Sequence, residues 1–162
     1  MNSNMSFLTF CPSHFYMASG VGESKYRLVA FDNALISAGV SGYNLLKVSS
    51  ILPSKCQRRE KVEIKEGSLL PTAYASISSD CAGEQISACI AVGIPENEDD
   101  IGVIMEYSDS VSKELAEDTC RAMVAEAMNN HHISVKEILS TVASTEVGKG
   151  CFSSVVSVLS MW

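Results

Sequence analysis

The stretch Gly42-Tyr43-Asn44-Leu45-Leu46-Lys47-Val48-Ser49-Ser50-Ile51-Leu52-Pro53 holds the residues of this chain best suited to chemistry. A serine hydroxyl just after a strained peptide bond can attack the preceding carbonyl and convert an amide to an ester. Ser50 stands in that relation to Ser49. Taken alone, a Ser-Ser pair is common, and the stretch reads as the end of a structural strand. Three other patterns offer less. The six cysteines (Cys11, Cys56, Cys81, Cys89, Cys120 and Cys151) form no Cys-x-x-Cys pair and none sits at zinc spacing from His131 or His132. They read as reduced, mostly buried thiols of a cytosolic protein. His131-His132 reads as an exposed helix end, because neighbours at i, i+1 point apart. Gly20-Val21-Gly22 lacks the third glycine and the Gly-Lys-Ser ending of a phosphate loop, so a plain turn is expected.

The elements that must position these groups follow from periodicity. Phe15 to Ala18 reads as a short strand and Ser19 to Lys25 as a loop. Leu28, Phe31, Leu35 and Ala38 recur at helical spacing and predict a helix with one apolar face, ending near Gly39. Asp32 lies about 100° around that helix from Phe31, off the core face. Tyr43 to Ser49 alternates as a strand that Pro53 interrupts. Residues 54–66 are strongly charged and read as a solvated loop or edge. Leu69 to Ser79, Gln85 to Ile94 and Ile101 to Tyr107 predict strands. Val111 to Asn129 predicts a helix capped by Ser110 or Ser112, with Leu115, Cys120, Met123 and Met128 as its apolar residues. Strands at Ile133 to Val142 and Phe152 to Trp162 close the domain, joined by a turn at Glu146 to Gly150. Few helices among many strands favour an α+β sandwich over a βαβ dinucleotide fold. Association into a symmetric oligomer would cover the exposed edges.

Composition agrees with one domain over 1–162, at 46% hydrophobic and 19% charged residues. A net charge of −7 argues against nucleic acid as a partner. No apolar run approaches the roughly 20 residues of a membrane-spanning helix, and the first ten residues lack the charged start of a secretory signal. A cytoplasmic location without membrane attachment is expected.

The motifs together resemble the pyruvoyl-dependent arginine decarboxylases. Asn44-Leu45 followed by Ser49-Ser50-Ile51 and Pro53 is similar to that family's self-cleavage site. Ala30-Phe31-Asp32-Asn33-Ala34-Leu35 resembles its Ala-Phe-Asp-x-Ala-Leu helix. Leu70-Pro71-Thr72-Ala73-Tyr74, Gly83-Glu84, Ile86-Ser87-Ala88, Ile94-Pro95, Met105-Glu106-Tyr107 and Gly150-Cys151 follow in the family's order. Ser54, where some members carry a second proline, and the charged segment after it depart from the pattern. The resemblance implies cleavage between Ser49 and Ser50 into residues 1–49 and 50–162, with a covalent pyruvoyl group formed from Ser50. It implies Asn44 as the donor to the attacked carbonyl, Glu106 as the acid that returns a proton to the substrate carbon, and Asp32 as the carboxylate that meets the guanidinium. A donating Glu106 would need apolar surroundings, for which Val103, Ile104 and Met105 are the candidates. It further implies a four-layer αββα sandwich and trimers or paired trimers with sites between subunits. The expected reaction converts L-arginine to agmatine and carbon dioxide, without metal. Two other readings stand beside it: a pyruvoyl enzyme for another cationic amino acid, and an uncleaved trimeric binding relative.

Overall fold

A computed structural model describes residues 10–162. Its elements run β1 (His14–Ser24), α1 (Arg27–Ser37), β2 (Asn44–Lys47), β3 (Ile51–Leu52), β4 (Gln57–Arg58), β5 (Leu69–Ser79), β6 (Gln85–Pro95), β7 (Gly102–Asp109), α2 (Lys113–Asn130), β8 (Val135–Glu146) and β9 (Phe152–Met161). They form a five-stranded sheet in the order β2-β5-β9-β1-β4 and a four-stranded sheet in the order β3-β7-β6-β8. The sheets face each other across Phe15, Met17, Ile90, Val92, Ile104 and Leu159. Helix α1 covers the outer face of the first sheet and α2 the outer face of the second. The architecture is an α+β sandwich with a helix on each side.

Strand β9 is central and buried along nearly its whole length, as its apolar run requires. Its serines are buried too, and their hydroxyls are paired. Ser157 Oγ donates to the Ala88 carbonyl at 2.7 Å and lies 2.9 Å from Ser19 Oγ. Small hydroxyl residues let the two sheets approach without leaving a polar group unpartnered.

Strand β1 overturns the expected loop at Ser19 to Lys25, since it pairs with β9 without a break from Phe15 to Ser24. The turn expected at Gly20-Val21-Gly22 is therefore strand. These glycines face α1, where an added Cβ at Gly20 would lie 2.0 Å from the Ala34 carbonyl oxygen and one at Gly22 2.3 Å from that of Ala30. The glycines thus permit close helix–sheet contact rather than a turn. This contact also shifts the buried face of α1, keeping the expected Leu35 and Ala38 inside and Phe31 half-buried but turning Leu28 out. Ala30, Ala34 and Leu35 are buried, whereas Leu28 is 77% exposed. Helix α2 behaves similarly. Ser112 caps it, accepting from Leu115 N at 3.2 Å, and Ala116, Cys120, Val124 and Met128 form the buried stripe. Leu115 and Met123 face outward. Strand β8 begins after Ile133 and runs on to Glu146. Only Cys89 and Cys120 are buried cysteines; Cys11 and Cys81 are exposed, and Cys56 and Cys151 half-buried. No helix among the described residues is long and apolar enough to cross a membrane.

Candidate active site

The Ser49–Ser50 bond lies where the chain changes sheets. β2 is an edge strand of the first sheet, paired in parallel with β5. β3 is an edge strand of the second, paired antiparallel with β7. Val48 to Ser50 make the crossing between them. The segment is tied at both ends: Val48 N donates to the Thr72 carbonyl at 3.3 Å, and Ile104 N donates to the Ser50 carbonyl at 2.7 Å. Ser49 is exposed and Ser50 half-buried. Among the described residues the left-handed backbone positions outside glycine are Lys55 and His132, so the expected strain at this bond does not take that form.

Glu106 sits on β7, paired with Ile90 of β6 and alternating with its neighbours. Ile104 shares its face and packs between the sheets, while Val103 and Met105 pack under α2. From behind, the Cys120 thiol donates to the Met105 carbonyl at 3.2 Å and steadies the strand. The apolar surroundings expected for Glu106 are not what it meets. Instead Lys47 Nζ of β2 reaches across the seam to Glu106 Oε1 at 3.0 Å. The same ammonium donates to the Tyr74 carbonyl at 3.3 Å and stands 4.6 Å above the Tyr74 ring. Tyr74 in turn packs on Phe31 of α1, ring centroids 6.3 Å apart. A row of contacts thus runs from Glu106 through Lys47 and Tyr74 to the residue before Asp32.

Two open clefts follow this row. One, of about 180 Å³, is lined by Lys47, Tyr74, Ser76, Glu106 and their neighbours. The other, of about 400 Å³, is lined by Arg27, Leu28, Phe31, Tyr74 and Ser76. They share Tyr74 and Ser76. A separate cavity of about 400 Å³ lies past β3, between Leu52, Lys55, Cys56, Ile94 and Lys136, and contains none of the expected site residues.

Asp32 is exposed on α1 and, among the described residues, has no hydrogen-bond or ion-pair partner. Asn44 stands apart. Strand β2 is extended and places it roughly 10 Å along the chain from Lys47, and its Nδ2 donates to the Gly67 carbonyl at 2.8 Å. Among the described residues its amide is engaged by Gly67 and not by the Ser49 carbonyl. Lys47 and Tyr74 were not singled out from the sequence for chemistry. A lone cation two residues before the serine pair was the available signal for Lys47. The Gly83-Glu84 motif is a corner brace rather than part of the clefts: Glu84 accepts hydroxyl hydrogen bonds from Ser110 and Ser79.

The residues present fit a pyruvoyl group at position 50. A cut before Ser50 would leave the new end fixed by Ile104 N, and the 1–49 piece held by the pairing of β1 with β9 and of β2 with β5. The comparisons with known proteins agree. Residues 14–162 match the family described as pyruvoyl-dependent arginine decarboxylase (PvlArgDC). The chain is 37% identical over 155 residues to the pyruvoyl-dependent arginine decarboxylase of Methanococcus aeolicus, covering 93% of this chain and 94% of that protein. It is 40% identical over 144 residues to the enzyme of that name from Thermococcus kodakarensis, covering 88% of each. It is 42% identical over 112 residues to that from Methanocaldococcus jannaschii, covering 69% of this chain and 68% of that protein. With the match running from β1 to the final residue, the chain belongs to the pyruvoyl-dependent arginine decarboxylase family.

Proposed function

We propose that this chain cuts itself between Ser49 and Ser50 and, with a pyruvoyl group at position 50, converts L-arginine to agmatine and carbon dioxide in the cytoplasm. The observation that carries the reading is the position of the serine pair. It lies at the crossing between sheets, with Ser50 anchored by Ile104 N and three residues from the lysine that binds Glu106.

In processing, Ser50 Oγ adds to the Ser49 carbonyl carbon and the peptide bond becomes an ester. Loss of the Ser50 α-proton then releases the Ser49 carboxylate, and water replaces the nitrogen of residue 50, which leaves as ammonia. The resulting pyruvoyl group supplies a ketone that condenses with the substrate amine and accepts the electron pair left by carbon dioxide. The chain's own residues do the rest. Asp32 accepts two parallel hydrogen bonds from the guanidinium, a geometry that an ammonium cannot copy. The substrate lies along the two clefts that meet at Tyr74 and Ser76, one beside α1, which carries Asp32, and one beside Glu106 of β7. Glu106 passes on the proton that the substrate α-carbon needs, taking it up once bound substrate covers the seam and excludes water.

Asn44 is the donor for the processing step across a protomer boundary, because its own strand carries it away from Ser49. Trimers or paired trimers of cleaved protomers fit this need. Leu28, Val29 and Ile36 are exposed around Asp32 on α1, an apolar surface that association would cover.

The test is direct. Purified protein is incubated separately with arginine, ornithine and lysine, and the amines are identified by mass spectrometry. Agmatine as the dominant product, abolished by Ser50→Ala, is the expected result. A Ser50→Ala protein that still makes agmatine, or a preference for ornithine or lysine, would overturn the reading.

A further inference from the structure

We propose that Lys47 is a positioning residue that aims the Glu106 carboxylate at one carbon and so decides whether each turnover ends in agmatine or in loss of the pyruvoyl group. The inference rests on the functional reading above and concerns a residue that the family resemblance did not single out.

Three contacts fix the Lys47 ammonium: Glu106 Oε1 at 3.0 Å, the Tyr74 carbonyl at 3.3 Å and the Tyr74 ring at 4.6 Å. They come from both sheets, because Tyr74 lies on β5 and Glu106 on β7. Lys47 itself lies on β2, three residues before Ser50. One side chain therefore joins the strand entering the crossing, the wall of the cleft and the Glu106 carboxylate. The pair is not a core element. The side chains of Lys47 and Glu106 are 52% and 39% exposed, and ion pairs this open contribute little to folding. Without the ammonium, the Glu106 side chain regains its rotamers at a seam open to water.

Direction matters because two carbons compete for the proton. Once carbon dioxide has left, one electron pair is shared between the substrate α-carbon and the carbon of residue 50. A proton on the substrate carbon, followed by water, yields agmatine and restores the ketone. A proton on the carbon of residue 50, followed by water, releases 4-guanidinobutanal and leaves the substrate nitrogen on residue 50 as alanine. The second route is balanced without an outside oxidant: the substrate loses the two electrons that residue 50 gains. A misplacement of an acid by about 1 Å can cost on the order of 100-fold in rate. The fate of the electron pair is correspondingly sensitive to where Glu106 points.

The experiment uses the full-length cleaved protein and the variants Lys47→Met and Lys47→Arg. Agmatine formed per pyruvoyl group, KM for arginine and the mass of the fragment starting at residue 50 are followed through many turnovers. For Lys47→Met, kcat should fall about 10- to 100-fold with KM little changed, and alanine should accumulate at position 50 with matching 4-guanidinobutanal. Lys47→Arg, whose guanidinium can still hold the carboxylate, should restore both kcat and the intact pyruvoyl end. Lys47→Met with wild-type kcat and no faster alanine formation would overturn the proposal. So would Lys47→Met protein that never cleaves, which would place Lys47 in processing instead. Wild-type protein that makes no agmatine would defeat the functional reading itself, and that control precedes the variants.

Discussion

Replacing Gly22 by alanine tests how the fold places the guanidinium end of the cleft. The new Cβ would lie 2.3 Å from the Ala30 carbonyl oxygen, 2.4 Å from Ala34 N and 2.7 Å from the Asn33 carbonyl carbon. All three are backbone atoms of α1, so no side chain can rotate away. Ordinary contact begins near 3.4 Å, and opening 2.3 Å to 3.4 Å requires α1 to move by 1.1 Å. Overpacking of this kind costs about 1–3 kcal/mol, and rigid neighbours put Gly22→Ala near the upper end. For a chain of this size, about 3 kcal/mol lowers the melting temperature by roughly 6–12 °C. Thermal melts are best run on the Ser50→Ala background, which keeps one continuous chain, at a fixed protein concentration. Gly67→Ala is the control. Gly67 has φ +83° and nothing within 4 Å of its added Cβ, so the substitution there introduces only backbone strain of about 1–2 kcal/mol. In cleaved protein, Gly22→Ala should also raise KM for arginine, because α1 carries Phe31 and Asp32. If Gly22→Ala melts with its parent, α1 does not pack on β1 as described and the placement of Asp32 fails with it.

Three further outcomes are expected. Glu106→Gln should still self-cleave, with kcat lowered on the order of 10²- to 10⁴-fold; near-normal turnover would remove Glu106 from proton delivery. Asp32→Asn should lower kcat/KM for arginine by about 10- to 100-fold, the worth of a charge-assisted contact, with an unchanged melt. Unchanged arginine kinetics would point to another specificity residue. The hydroxyls of Ser110 and Ser79 hold the Glu84 carboxyl below its ordinary value of 4.5. Its stabilising effect is therefore full above that pH and fades as the pH falls further. Glu84→Gln should remove that part of the acid sensitivity, and identical acid-unfolding profiles for both proteins would show that the brace carries no such effect.

Much of the scaffold was legible because its signals are local. β5, β6 and β9 follow their apolar runs, and Ser112 marks the start of α2. The misreadings of β1 and α1 have one cause. Gly20 and Gly22 signal a turn locally, but here they serve a helix that packs on them from the far side of a sheet. That same contact decides which face of α1 is buried, so Ala30 is enclosed and Leu28, expected inside, is exposed. At the site, Ser49, Ser50, Asp32 and Glu106 were singled out as candidates through motif order. Lys47 and Tyr74 were not, because their partnership depends on the two sheets meeting at the seam. Asn44 is the reverse case. Its motif position was legible, but its amide is held by Gly67 within the chain.

The most direct measurement is the intact mass of the purified protein under denaturing conditions, before and after treatment with a carbonyl-reactive amine. The account predicts two pieces, residues 1–49 and 50–162, with only the second gaining the mass of the amine. A single unreactive chain of 17.4 kDa after long incubation would contradict it.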